Sequence, residues 1–211
     1  MRIRESRAFR PASQHPAAQK LCAYDRDLKS QAIKILPGEF LATSRDVVML
    51  TLLGSCVAAC LHDPDAGIGG MNHFMLPEGN GGLVGAPARY GVYAMEILLN
   101  ALLEHGARRS RLQAKVFGGG NVLKAFTVNN VGDQNVRFVR EYLNREGIPV
   151  VAEDLLGVQP RKVGYYPKTG RAMVKRLPKV PDAEISQMET LYRDRLRETP
   201  VVHGDVEMFT P

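Results

Sequence analysis

Apolar positions along this chain fall mostly into short runs separated by turn residues. Val47 to Leu52 is apolar at every position but Thr51, the pattern of a strand buried on both faces. Gly54-Ser55 then turns the chain, and a second apolar run follows from Val57 to Leu61. A polar turn, His62-Asp63-Pro64-Asp65, leads to an extended run from Gly67 to Met75. Upstream, Ile33 to Leu36 reads as a strand ended by Pro37-Gly38, and Phe40 to Thr43 as extended or loop. Downstream, Leu112 to Phe117 alternates apolar and polar. Val150 to Leu155, Lys162 to Tyr166 and Arg171 to Leu177 read as three more strands, with a hairpin-like turn at Pro167-Lys168-Thr169-Gly170.

The helical period appears in three places. Tyr90, Tyr93, Ala94, Ile97, Leu98, Ala101 and Leu102 recur at helical spacing within Arg89 to His105, and Gly106 supplies a stop. Val136 to Arg145 puts Val136, Val139, Tyr142 and Leu143 on one face, and Ala183 to Arg197 reads as a terminal helix. Strands in hairpin-like succession with core helices predict an α/β (α+β) layered sandwich, a mixed or antiparallel sheet flanked by helices. Strict strand–helix alternation is absent, which argues against a doubly wound dinucleotide fold. The expected organisation is a disordered basic arm over 1–32, one domain over 33–180, and a C-terminal helix and tail over 181–211.

Charge adds little to this. Of the net +6, five charges sit in Met1 to Lys34, where eight basic residues face three acidic ones. Such an arm reads as solvated, because no interleaved aromatics mark it for nucleic acid, and none is expected as a partner. No run is long enough to span a bilayer, so no membrane insertion is expected. Three cysteines, Cys22, Cys56 and Cys60, make no disulfide framework and suit a reducing cytoplasm.

The candidate chemistry lies between Thr51 and Pro77. Cys56 follows the small-residue turn Gly54-Ser55, where the backbone is expected to leave the side chain accessible and free N–H groups can stabilise a thiolate and an oxyanion. His73, on the next extended run, is the candidate general base, against the alternative of a satisfied core histidine. Cys60 shares a face with Cys56 but lies about 13 Å along the strand, so it reads as core filler. A third group should orient the imidazole: Thr51 is the choice, with Thr43 and Asn72 as rivals. An uncharged orienter stabilises imidazolium less than a carboxylate does, so slow turnover is expected. Gly118, Gly119, Gly120 and Asn121 form a glycine-rich turn that lacks the Lys-Ser/Thr of a phosphate loop. With the run Pro77 to Pro87, they are candidates for a substrate rim. No histidine or cysteine spacing suggests a metal, and no cofactor is expected.

Several ordered motifs resemble one family. LGSCVAACLHDP, GGMNHFMLP, AKVFGGGNV, VGDQNV and AEDLLGVQPRKVGYYPKTGRAMVKRL, spread over Ile35 to Leu177, are similar to the chemoreceptor glutamine deamidases of the CheD family. The 17-residue separation of Cys56 and His73 matches that family's spacing. The resemblance implies a layered α/β fold shared with certain deamidating bacterial toxins. It implies a Cys-His-Thr triad carried by Cys56, His73 and Thr51. It also implies hydrolysis of glutamine side chains to glutamate on methyl-accepting chemotaxis receptors through a thioester. Receptor methyl-ester hydrolysis and a CheC-type phosphatase partner are further implications. Other readings are another cysteine acyl hydrolase, a receptor-binding adaptor with vestigial activity, and nucleic-acid binding through the arm.

Overall fold

The computed structural model describes residues 23–28, 30–76, 86–122, 131–178 and 183–198. Most of the basic arm with Cys22, most of the glycine-rich run after Leu76, and the tail after Glu198 lie outside the described residues.

Among the described residues, ten strands form two five-stranded sheets. The first has the order β1-β2-β4-β9-β10, built from β1 (Ala23–Asp25), β2 (Ser30–Lys34), β4 (Val48–Leu53), β9 (Arg161–Tyr166) and β10 (Arg171–Arg176). The second has the order β3-β6-β5-β7-β8, built from β3 (Phe40–Thr43), β6 (Ile68–Asn72), β5 (Val57–Asp63), β7 (Gln113–Gly118) and β8 (Val150–Leu155). Both are mixed: β2 runs parallel to β4 and β7 parallel to β8, and the other pairs are antiparallel.

The alternation of side chains along β5 explains the layering. Val57, Ala59 and Leu61 face α1 (Ala86–Glu104) and α2 (Val131–Arg145), packing with Met95, Leu98, Leu102, Val139 and Leu143. Cys56, Ala58 and Cys60 point the other way, into a core shared with Met49 and Leu53 of β4 and Val163 and Tyr165 of β9. A strand buried on both faces needs an apolar residue at nearly every position, which is why VAACL carries no polar break. The second sheet is therefore the middle layer, between the first sheet and the two helices. The third helix, α3 (Ala183–Glu198), lays Tyr192 and Leu196 against the inter-sheet core.

The layered α/β fold expected from the sequence is the fold observed. Its strands divide between two sheets, and the first begins at Ala23, inside the segment read as a loose arm. No helix of the described residues is long and apolar enough to cross a membrane.

Candidate active site

β4 belongs to one sheet and β5 to the other, so Gly54-Ser55-Cys56 is the point where the chain crosses between layers. Neighbouring segments tie down its backbone. Gly119 N donates to the Cys56 carbonyl at 2.7 Å and Gly120 N to the Gly54 carbonyl at 2.7 Å. Asn135 of α2 donates from Nδ2 to the Ser55 carbonyl at 2.8 Å and accepts at Oδ1 from Leu76 N at 2.8 Å. A buried carboxylate of α3 caps the same turn. Glu189 Oε1 accepts from Gly54 N at 3.1 Å and from Cys56 N at 3.0 Å, and Oε2 accepts from Ser55 Oγ at 2.8 Å.

The register places His73 beside Cys56. The ladder pairs Cys60 with Met71, and a bridge pairs Val57 with Phe74, so the two chains keep one alignment throughout. That alignment sets Ala58 opposite His73 and makes Cys56 and His73 diagonal neighbours on the same face. Such neighbours lie about 7–8 Å apart, within reach of an imidazole. His73 is held by its own backbone: its carbonyl accepts from Gly38 N at 2.7 Å and its N donates to the Glu39 carbonyl at 3.0 Å.

Thr51, arriving from the facing sheet, orients the ring. Its hydroxyl donates to the Ile35 carbonyl at 2.8 Å, and its oxygen lies 2.8 Å from His73 Nδ1. With the hydroxyl proton committed to Ile35, the oxygen accepts, so Nδ1 carries the proton. Nδ1 also lies 3.3 Å from the Ile35 carbonyl, a second acceptor. Nε2 is then the bare nitrogen, and it is buried with no hydrogen-bond partner. An imidazole in this tautomer keeps a free lone pair on Nε2 and is equipped to take a proton, although Nε2 makes no hydrogen bond to Cys56 in this structure.

The rivals to Thr51 do other work. Thr43 Oγ1 accepts from Arg45 N at 3.1 Å. Asn72 faces the helices: its Oδ1 accepts from Ala59 N at 3.0 Å and its Nδ2 donates to the Ala94 carbonyl at 2.9 Å. Cys60 is buried in the inter-sheet core. Among the described residues no group of three or more His, Cys, Asp or Glu could hold a metal ion.

Known proteins are similar to this chain in sequence. A family model for CheD chemotactic sensory transduction matches residues 75–176. A protein of Xanthomonas campestris pv. campestris (strain B100), named "Probable chemoreceptor glutamine deamidase CheD", is 56% identical over 186 residues, which is 87% of this chain and 93% of its own. This chain belongs to the CheD family. CheD proteins carrying the same name in Stenotrophomonas maltophilia (strain R551-3) and Methylobacillus flagellatus are 55% and 52% identical, each over 88% of this chain and over 92% and 93% of their own. Among solved structures, the hypothetical protein YfiH of Bacillus licheniformis aligns with a TM-score of 0.33 at 16% identity, over 56% of this chain and 49% of that one, a likeness too slight to carry an argument.

Within this CheD chain the glycine-rich turn sits against the nucleophile turn. Gly118, Gly119 and Gly120 are buried, with the amides of the last two spent on the Gly54–Cys56 backbone. Asn121 is exposed, so of the four rim candidates it alone opens to solvent. Three partners of the site were not singled out from the sequence: Asn135, Glu189 and the Ile35 carbonyl. Asn135 lies within VGDQNV, just before the apolar face of its helix, a position where a buried carboxamide with both ends bonded leaves no periodic signal.

Burial governs the titration of the pair. Desolvation, then the charge and hydrogen bond of Glu189, push the Cys56 thiol well above its usual range. Desolvation brings His73 down to about 4, against a partial counter-effect from the Ile35 carbonyl. A histidine depressed in the folded state stabilises the fold fully above its unfolded pKa of about 6.5 and loses that contribution as pH falls toward its folded value. Between about pH 7 and about pH 5 the expected loss is about 2 kcal/mol. Urea unfolding of the wild type and of His73→Gln at both pH values measures it. The wild type should lose that much more than the variant, and equal losses would show that His73 does not set the slope.

Proposed function

We propose that this chain hydrolyses glutamine side chains of chemotaxis receptors to glutamate, using Cys56 as nucleophile and His73 as the proton carrier. The observation that supports the mechanism is the Thr51–His73 contact at 2.8 Å, which suits a proton on Nδ1 and a lone pair on Nε2. The names of the CheD relatives supply the substrate class. Its place of work is the cytoplasm, where Cys56 and Cys60 stay as free thiols.

The proposed reaction uses these atoms in two stages. His73 Nε2 takes the Cys56 proton as Sγ attacks the amide carbon, and a C–S bond forms while the carbonyl electrons move onto oxygen. The amides of Gly54 and Cys56, which now converge on one Glu189 oxygen, are placed to receive that oxyanion. The imidazolium returns its proton to the nitrogen, the C–N bond breaks, and ammonia leaves a thioester. Water then gives a proton to Nε2 and attacks the thioester. The C–S bond breaks, the proton returns to sulfur, and a glutamate side chain departs. A receptor methyl ester fits the same acyl chemistry, with methanol leaving in place of ammonia.

Incubation of the protein with a receptor cytoplasmic fragment tests the reading. Peptide mass spectrometry should find a gain of about 1 Da at specific glutamines, with ammonia released in equal amount. Absence of both at every glutamine would sink it.

Thr51 is a positioning residue in this scheme. In Thr51→Val the shape survives, but Nδ1 keeps only the longer contact to Ile35, and the ring is free to turn. We expect kcat to fall by about 10- to 100-fold with KM little changed. The acid limb of the pH–rate profile should shift, because the neighbour of Nδ1 has changed. An unaltered profile and rate would remove Thr51 from the mechanism.

A further inference from the structure

Cys56 has 0% of its surface exposed, so a receptor glutamine cannot reach it while the molecule stays as it is. Among the described residues, α3 covers the turn through Glu189, and Val122 closes on Gly54 beside it. Glu189 has the same side-chain length as glutamine and is the product of its hydrolysis. It is only 4% exposed, and its carboxylate places one oxygen between the amides of Gly54 and Cys56 and the other on the Ser55 hydroxyl. A substrate amide set on the same carbon frame would put its carbonyl oxygen on the two amides and its NH2 against Ser55. A hydroxyl serves both species, since it donates to a carboxylate and accepts from an amide. The turn is shaped for this approach: a Cβ on Gly54 would stand 2.9 Å from each Glu189 oxygen.

The rest of the helix is anchored on the same face. Tyr192, one turn after Glu189, is buried and hydrogen-bonded through its hydroxyl to Tyr90 of α1. Its ring fills the space beside Gly38, where a Cβ would come within 2.8 Å of it. Leu196, one further turn along, packs on the inter-sheet core. Positions 189, 192 and 196 follow the spacing of one helix face.

We propose that the surface over the Cys56 turn is a docking groove for an α-helix presenting a glutamine or glutamate side chain, and that α3 occupies it as a built-in product analogue. A receptor helix with glutamine at the place of Glu189 displaces α3 to be deamidated. This proposal rests on the deamidase reading given above and adds to it the conformation of the substrate and a competitor within the chain. The charge difference supports the direction of exchange. A carboxylate beside the thiol opposes thiolate formation, whereas a neutral amide in the same cradle does not, so the site is silent with product in place and competent with substrate in place.

Two measurements on the full chain test it. In the first, Cys56 alkylation by iodoacetamide is followed by peptide mass spectrometry in the wild type, Glu189→Ala and Tyr192→Ala, with Cys60 read in the same digest. Both variants should speed modification of Cys56 by about tenfold or more while Cys60 stays protected. An unchanged Cys56 rate, or an equal rise at both cysteines, would overturn the proposal. In the second, the amide introduced by Glu189→Gln should be hydrolysed within the same molecule. The gain of about 1 Da should appear at that position and be absent from Glu189→Gln combined with Cys56→Ala. An amide that persists in a variant still active on the receptor fragment would overturn the mimicry and leave the deamidase reading standing. Accelerated alkylation with no receptor deamidation by any variant would instead retain the groove and sink the deamidase reading.

Discussion

Cys56→Ala abolishes receptor deamidation. The expected loss is about 10^4-fold or more, because no other side chain replaces the nucleophile that holds the acyl group. The amides at Gly54 and Cys56 belong to the backbone and survive the substitution, so substrate binding should persist while turnover stops. Cys56 is fully buried in the inter-sheet core, and loss of one sulfur there leaves a small void that costs about 1–2 kcal/mol, too little to unfold the chain. Circular dichroism should therefore match the wild type while the mass gain at receptor glutamines disappears. A mass gain that persists with pure variant would move the nucleophile to another residue. Cys60→Ala is the matched control, since Cys60 faces the same core four residues along. It should lose a similar amount of stability and keep its activity.

Gly118→Ala carries the second large effect, on stability and activity together. Gly118 adopts φ of +108°, a conformation that L side chains rarely take. A Cβ built there would lie 2.2 Å from the Cys56 carbonyl oxygen and 3.2 Å from its carbonyl carbon. The obstacle is backbone, so no rotamer change relieves it. Either the end of β7 or the Cys56 peptide must shift, and the hydrogen bond from Gly119 N to that carbonyl goes with it. The expected cost is about 3 kcal/mol or more, read as a lower urea midpoint, with deamidation reduced well beyond the loss of folded protein. Gly147→Ala offers the contrast. Its φ is +65°, but nothing lies within 4 Å of the added carbon, so the cost should be about 1 kcal/mol, with activity intact. Equal effects at the two sites would remove the brace argument.

The parts of this molecule that could be read from the sequence are those encoded within a few residues. The apolar run after Gly54-Ser55 announces a buried strand, but the turn before it, expected to leave Cys56 accessible, buries it, with the Gly54 and Cys56 amides bonded to Glu189. Thr51 could be ranked above Thr43 and Asn72 only by its place before that turn; its contact with His73 shares the carbonyl of Ile35, a residue just past β2 whose amide donates to the Leu50 carbonyl of β4. The division into two sheets was out of reach because β4 lies between β2 and β9, partners far apart in sequence. β1, with three residues, is too short to show a period. Glu189 was hidden by its surroundings. In a helix rich in charged residues a glutamate reads as solvated, and nothing local marks the one that turns inward.

The hydrogen bonds that shape the Cys56 turn come from far down the chain. Asn135 reaches Ser55 across 80 residues and Glu189 reaches Cys56 across 133. During synthesis the thiol emerges from the ribosome long before the segments that surround it. Translation at about 5–20 residues per second separates Cys56 from Asn135 by several seconds. Pairing over such separations is also slow to form. A nascent chain that ends before α2 thus carries Cys56 without the Asn135 brace on its turn, so the nucleophile is made long before the turn that holds it is complete.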